Sequence, residues 1–233
     1  MWEVQAFVVV SAPAAAELYN CAAPYQSYFD GAYTSTNTVI GSSAKIVNRF
    51  GAVCDTDTTN DNVSTAWTMI AGNGFLQYAQ AGFIRWYGSP DYFFAQDNDG
   101  GAPRTTFGVA LANYGETHQY WDQWSAGCNC VQEVVDVTIF QSTPYNPRTA
   151  WTQPFSNQWL GEVKYTASDM PGNSTEGWTT YTLMQVQLAA NSLWTNTLPV
   201  IGYVNNNPAR WSHDTVVGHP APVGNAYDLW TLP

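Results

Sequence analysis

Residues 65–96 read TAWTMIAGNGFLQYAQAGFIRWYGSPDYFFAQ, and the middle of that stretch decides the fold. Tyr78 to Tyr87 reads as one long β-strand. Strand side chains alternate with period two, so Tyr78, Gln80, Gly82, Ile84 and Trp86 share one face. Ala79, Ala81, Phe83, Arg85 and Tyr87 share the other. Gln80 therefore sits between large aromatics on a sheet face. Its amide is neutral at every pH and both donates and accepts hydrogen bonds. It suits either an anchor for a bound amide or sugar, or an internally satisfied polar group.

Outward from this strand, a turn at Ala71-Gly72-Asn73-Gly74 leads back to a strand near Ser64–Ile70. A turn at Gly88-Ser89-Pro90-Asp91 leads on to a strand at Tyr92–Gln96. Further strands are expected at Ser27–Tyr33, Ala44–Phe50, Thr105–Ala110, His118–Trp124, Val131–Phe140, Trp159–Thr166 and Thr179–Leu188. Helical periodicity is weak, with one short helical turn expected at Ala189–Trp194. Many short strands separated by Gly, Pro and Asn turns give an all-β chain, an antiparallel β-sandwich or jelly roll. The 233 residues suit a single domain over 17–233, with 199–233 wrapping it as irregular chain. Residues 1–16 hold a short apolar run ending in Ala14-Ala15-Ala16, which reads as a signal-peptide remnant or a first strand.

Composition narrows the partners. Aromatics make up 15% of the chain and charged residues 11%, with a formal net charge of −11. No basic patch is available to neutralise phosphates, so nucleic acid is excluded as a partner, and so is an anionic membrane. No segment is apolar enough to span a bilayer. A polar surface built from neutral side chains points to an extracellular, secreted protein, and a monomer is expected. Four cysteines (21, 54, 128 and 130) suggest disulfides in an oxidising compartment. Cys21–Cys54 is the preferred bridge, because each sits beside a turn-rich segment; Cys128–Cys130 would close a strained, tight loop, and other connectivities remain open. The three histidines are not spaced as zinc ligands. The loop 55–62, DTDTTNDN, lacks the glycine and terminal glutamate of a calcium loop. No metal and no cofactor is expected. Asn62 and Asn173 open glycosylation sequons.

GxSxG, HExxH, phosphate-loop and dinucleotide-binding patterns are missing, which leaves carboxylates and amides on strands as the candidate chemistry. Glu162, in QWLGEVKY, lies mid-strand among aromatics. It shares a face with Leu160 and Lys164, so a salt bridge to Lys164 is the competing reading. His118 and Tyr120 alternate in ETHQYWDQW and could face the same surface, although a lone His there suits a structural hydrogen bond as well.

The central stretch resembles the eqolisin (scytalidoglutamic) family of glutamic peptidases. The resemblance rests on Thr65-Ala66-Trp67, Ile70-Ala71-Gly72, Gln80-Ala81-Gly82-Phe83 and Trp86-Tyr87-Gly88, with one extra residue between Phe83 and Trp86. Where the family has an acidic aromatic run, this chain has Tyr92-Phe93-Phe94-Ala95-Gln96. The resemblance implies a concanavalin-like sandwich and a catalytic Gln–Glu pair on a concave face. The Gln falls on Gln80, and Glu162 is the positional candidate for the Glu. It implies an acid endopeptidase in which Glu162 takes a proton from the attacking water and the Gln80 amide stabilises the oxyanion. Trp67, Trp86, Tyr92 and Gln96 would line the cleft around a polypeptide. The alternative is a non-catalytic module holding carbohydrate or glycopeptide on the same aromatic face, or an inactive peptidase relative.

Overall fold

The computed structural model describes residues 26–36, 39–49, 51–54, 63–72, 76–87, 89–111, 114–153, 155–164, 168–173, 177–196, 202–208, 211–214 and 227–231. The 1–16 segment, Cys21, the 55–62 loop and the Asn62 sequon lie outside these residues.

The first half of the chain forms β1 (Tyr28–Thr36), β2 (Val39–Val47), β3 (Val63–Ala71), β4 (Gln77–Trp86), β5 (Asp91–Asp99), β6 (Arg104–Leu111), β7 (Thr117–Ser125), β8 (Cys130–Val135) and β9 (Thr138–Ser142). A four-residue helix, α1 (Pro147–Ala150), precedes β10 (Phe155–Val163), β11 (Gly172–Asn173), β12 (Gly177–Leu188), β13 (Trp194–Thr195), β14 (Gly202–Asn205), β15 (Trp211–Asp214) and β16 (Tyr227–Thr231). Among the described residues these strands build two sheets. One has the order β14-β1-β10-β3-β4-β5-β6, the other β15-β16-β11-β12-β2-β7-β8-β9, with β13 beside β12. Pairing is antiparallel apart from a one-residue parallel bridge between β11 and β16.

The period-two pattern of β4 explains how the sheets pack. Its inward set, Ala79, Ala81 and Phe83, is buried between the sheets. Ala32, Trp159, Val163 and Phe93 join it from the seven-stranded sheet, and Ile46, Tyr120, Tyr181 and Val186 meet it from the other. Three buried side chains hydrogen-bond across the gap to backbone carbonyls. Trp159 Nε1 donates to the Ser43 carbonyl at 2.9 Å, Asn157 Nδ2 to the Gly41 carbonyl at 2.7 Å and the Tyr181 hydroxyl to the Leu160 carbonyl at 2.6 Å. The gap also holds carboxyl groups. Asp122 on β7 and Glu133 on β8 are register partners, both fully buried. Asp97 on β5 is bound by Arg104 and by Gln141 Nε2.

Three expectations change. The Val131–Phe140 segment is two strands, not one, because Asp136 takes a φ of 54° and reverses the chain. Asp136 is held in that turn by the Gln119 backbone N–H, which donates to its carboxylate at 2.9 Å. The helical turn falls at α1 rather than 189–194, where Asn146 caps the first turn and Pro147 opens it. Within 199–233, three short strands (β14, β15 and β16) extend the edges of both sheets where irregular chain was expected. Separately, Cys128 and Cys130 are bonded to each other across the Asn129 turn and close the tight loop.

Candidate active site

The face of the seven-stranded sheet turned away from the core carries a groove of about 570 Å³. Its floor is apolar, with Trp67, Met69, Phe94 and Leu160 packed together and Phe29, Tyr78 and Val204 against them. Trp67 lies across Gly82. A Cβ at Gly82 would stand 2.2 Å from the Ala66 carbonyl oxygen and 2.7 Å from Trp67 Cβ, so only glycine leaves room there.

The register assigns the lining side chains to lateral rows. One row runs Thr105–Gln96–Gln80–Met69–Gln158–Tyr33 across β6, β5, β4, β3, β10 and β1. A second runs Tyr92–Ile84–Thr65–Glu162–Phe29. Gln80, Gln96, Gln158 and Glu162 all line the groove, and Glu162 is the one carboxylate among its described lining residues. Gln80, Glu162, Trp67 and Gln96 therefore share one face, as the alternation along their strands predicts. Gln80 and Glu162 nevertheless belong to different rows. They are four residues apart along the strand direction, ~13 Å, and two strands apart, ~9.5 Å.

The amide end is tightly bonded. Gln80 Nε2 donates to Gln96 Oε1 at 2.9 Å, the Tyr78 hydroxyl donates to the same oxygen at 2.7 Å, and Gln96 Nε2 donates to Thr105 Oγ1 at 2.7 Å. Burial, then the nearby charges of Glu162 and Asp97, push the Tyr78 phenol up to about 12, so it remains a donor. At the other end, Lys164 Nζ donates to Glu162 Oε1 at 2.5 Å and to Ser27 Oγ at 2.6 Å. The side chains are 25% and 14% exposed, so the groove's carboxylate faces a partly buried cation.

Trp86 and Tyr92 do not line the groove. They form a separate cluster with Phe107, the Trp86–Phe107 ring centroids 4.9 Å apart. His118 and Tyr120 lie on β7, in the other sheet. Tyr120 is fully buried, its hydroxyl donating to Asn48 Oδ1, and the His118 ring packs edge-on against Phe93 between Asp136 and Glu116. Alternation along a strand gives a residue's face but not its sheet, and that is why these two were misplaced. Gln158 was missed altogether. It is 5% exposed and donates to Ser156 Oγ at 3.1 Å. Its position in the Gln80 row comes only from the pairing of β10 with β3. Among the described residues, no three His, Cys, Asp or Glu side chains are grouped to hold a metal ion. No described helix is long and apolar enough to cross a membrane.

No known protein-family model matches the sequence, and no curated protein matches it. Solved structures do. Scytalidoglutamic peptidase bound to a peptide-based transition-state analogue aligns over 90% of this chain and all of its own, with a TM-score of 0.56 and 11% identity. The same peptidase with a transition-state analogue inhibitor gives 0.57 and 12% over the same spans. SCP-B, an eqolisin peptidase in complex with the tripeptide Ala-Ile-His, gives 0.51 and 10%, again over 90% and 100%. The chain thus has the β-sandwich fold of the glutamic peptidases.

Proposed function

We propose that this chain is a secreted protein of glutamic-peptidase type whose groove takes an extended polypeptide, and that as it stands the groove binds rather than cuts. The observation that carries this reading is the row Gln96–Gln80–Met69–Gln158. Amides line up over an apolar floor, and amides match the donors and acceptors of a peptide backbone. Peptide hydrolysis needs a base within hydrogen-bond reach of the attacking water and an oxyanion donor at the same carbonyl. The β10 residue in Gln80's row is the neutral Gln158. The carboxylate, Glu162, is two rows away and bound to Lys164.

One observation favours the second reading, acid-range hydrolysis by Glu162 with Gln80: both side chains line one groove. On that reading Glu162 is released from Lys164 on substrate binding, takes a proton from water and returns it to the leaving nitrogen. Gln80 donates to the oxyanion.

The test is hydrolysis of acid-denatured serum albumin from about pH 2 to 7, with binding of the alkylated substrate measured alongside. The wild-type chain is expected to bind without cutting. Gln158→Glu, which puts a carboxylate into Gln80's row, is expected to introduce acid-range cleavage. Acid-range cleavage by the wild type that is lost in Glu162→Gln would establish the second reading instead.

A further inference from the structure

We infer that Gln96 is a positioning residue, which holds the Gln80 amide so that one N–H is spent inside the protein while the other N–H and the carbonyl oxygen serve the ligand. This rests on the reading of Gln80 as a contact to the bound polypeptide. The three side chains occupy neighbouring strands in direct register, Gln80 on β4, Gln96 on β5 and Thr105 on β6. Two donors, the Gln80 amide and the Tyr78 hydroxyl, converge on Gln96 Oε1. A carbonyl oxygen has two lone pairs, so this oxygen is filled by them. The Gln96 amino group then points the other way, to Thr105 Oγ1.

The direction of the chain matters. Gln80 alone could rotate its terminal amide by half a turn and exchange its oxygen for its nitrogen. With Gln96 Oε1 as a fixed acceptor, the half-turn would set two carbonyl oxygens against each other. The groove is therefore offered one donor and one acceptor from the same planar group. That pair matches one extended residue of the ligand, whose C=O accepts from the amide N–H and whose own N–H donates to the amide oxygen. Gln96 acts on the ligand through Gln80 in this scheme, since its own oxygen is already taken by two donors.

Two substitutions separate the possibilities. Gln96→Leu keeps the size but removes the acceptor. Gln96→Glu keeps the acceptor oxygen and replaces the donor to Thr105 with a second oxygen, so it preserves the direction and serves as the conservative rescue. The first measurement needs no ligand: the Gln80 side-chain amide resonances of the full chain, labelled with ¹⁵N and identified by their loss in Gln80→Ala. Their spacing is expected to be wider than that of a free glutamine side chain in the wild type and in Q96E, and to return towards the free side-chain spacing in Q96L. The second is affinity for alkylated, acid-denatured albumin. It is expected to fall about tenfold in Q96L, the worth of one oriented hydrogen bond, and to stay within about threefold in Q96E. If the wild type does not bind the albumin, the polypeptide reading fails while the resonances still decide the positioning role. Unchanged Gln80 resonances in Q96L, or equal damage from Q96E and Q96L, would overturn the inference.

Discussion

Raising the pH is expected to loosen this sandwich from within, and Glu133 is the group that sets the scale. Its side chain is fully buried between the sheets, and neither carboxyl oxygen meets a hydrogen-bond partner among the described residues. Gln141, the neighbouring amide, spends its N–H groups on Asp97 Oδ2 and the Arg104 carbonyl. Burial and the charge of Asp97 push Glu133 from its ordinary 4.5 up to about 8, against the smaller opposing pull of backbone hydrogen bonding, Arg104 and the nearby Gln141 amide. Asp122 beside it is raised as well, by burial first and the neighbouring Glu133 second. A carboxyl whose folded value lies above its unfolded one stabilises the fold while protonated. The contribution is whole below about pH 4.5 and is lost as pH climbs through about 8. At ~1.4 kcal/mol for each pH unit, the full loss from Glu133 is on the order of 5 kcal/mol. A domain has only ~5–15 kcal/mol in all, so the effect should be plain. Urea unfolding followed by tryptophan fluorescence at pH 5, 7 and 9 is the assay. Wild type should lose several kcal/mol across that span. Glu133→Gln, a neutral match in shape, should make the slope shallower and be the more stable of the two at pH 9, the remaining slope coming from Asp122 and from Asp91, which burial pushes up to about 7. Superimposable pH profiles for wild type and Glu133→Gln would refute the reasoning.

Other outcomes follow from single contacts. Gly82→Ala drives a methyl group into the Ala66 carbonyl and Trp67, and should cost about 1–3 kcal/mol or more in urea unfolding while disturbing the groove floor. Trp159→Phe keeps the ring packing but strands the buried Ser43 carbonyl that accepts from Nε1, so a loss of about 1–3 kcal/mol is expected by the same assay. Lys164→Met removes the cation from the partly buried Glu162, and should destabilise at pH 7 by about 1 kcal/mol, an effect that a double variant with Glu162→Gln should largely cancel.

Much of the fold could be read along the chain because a strand's two faces are a local property. Ala79, Ala81 and Phe83 are small or apolar at every second position, and they are the residues that enter the core. The same alternation put Gln80 on the open face, and with it the aromatics Tyr78 and Trp86. It also put Glu162 on one face with Leu160 and Lys164, and the ion pair expected from that spacing is present. The Asp136 turn escaped because a non-glycine residue at positive φ carries no strong sequence mark, and here a tertiary bond from the Gln119 backbone holds it.

What lies beside what was decided only by the tertiary structure. β3, β4 and β5 follow one another in the chain, but β10 joins β3 from about 90 residues away, and β1 joins β10 from the opposite direction in sequence. Their register is set by which side chains fill the space between two sheets, and no local pattern encodes that fit. A shift of two residues in β10 would have brought a different side chain into Gln80's row while leaving every face unchanged. The sequence by itself therefore determined that Gln80 and Glu162 look out of the same sheet. The long-range packing of β10 on β3 decided that Gln158, not Glu162, shares Gln80's row.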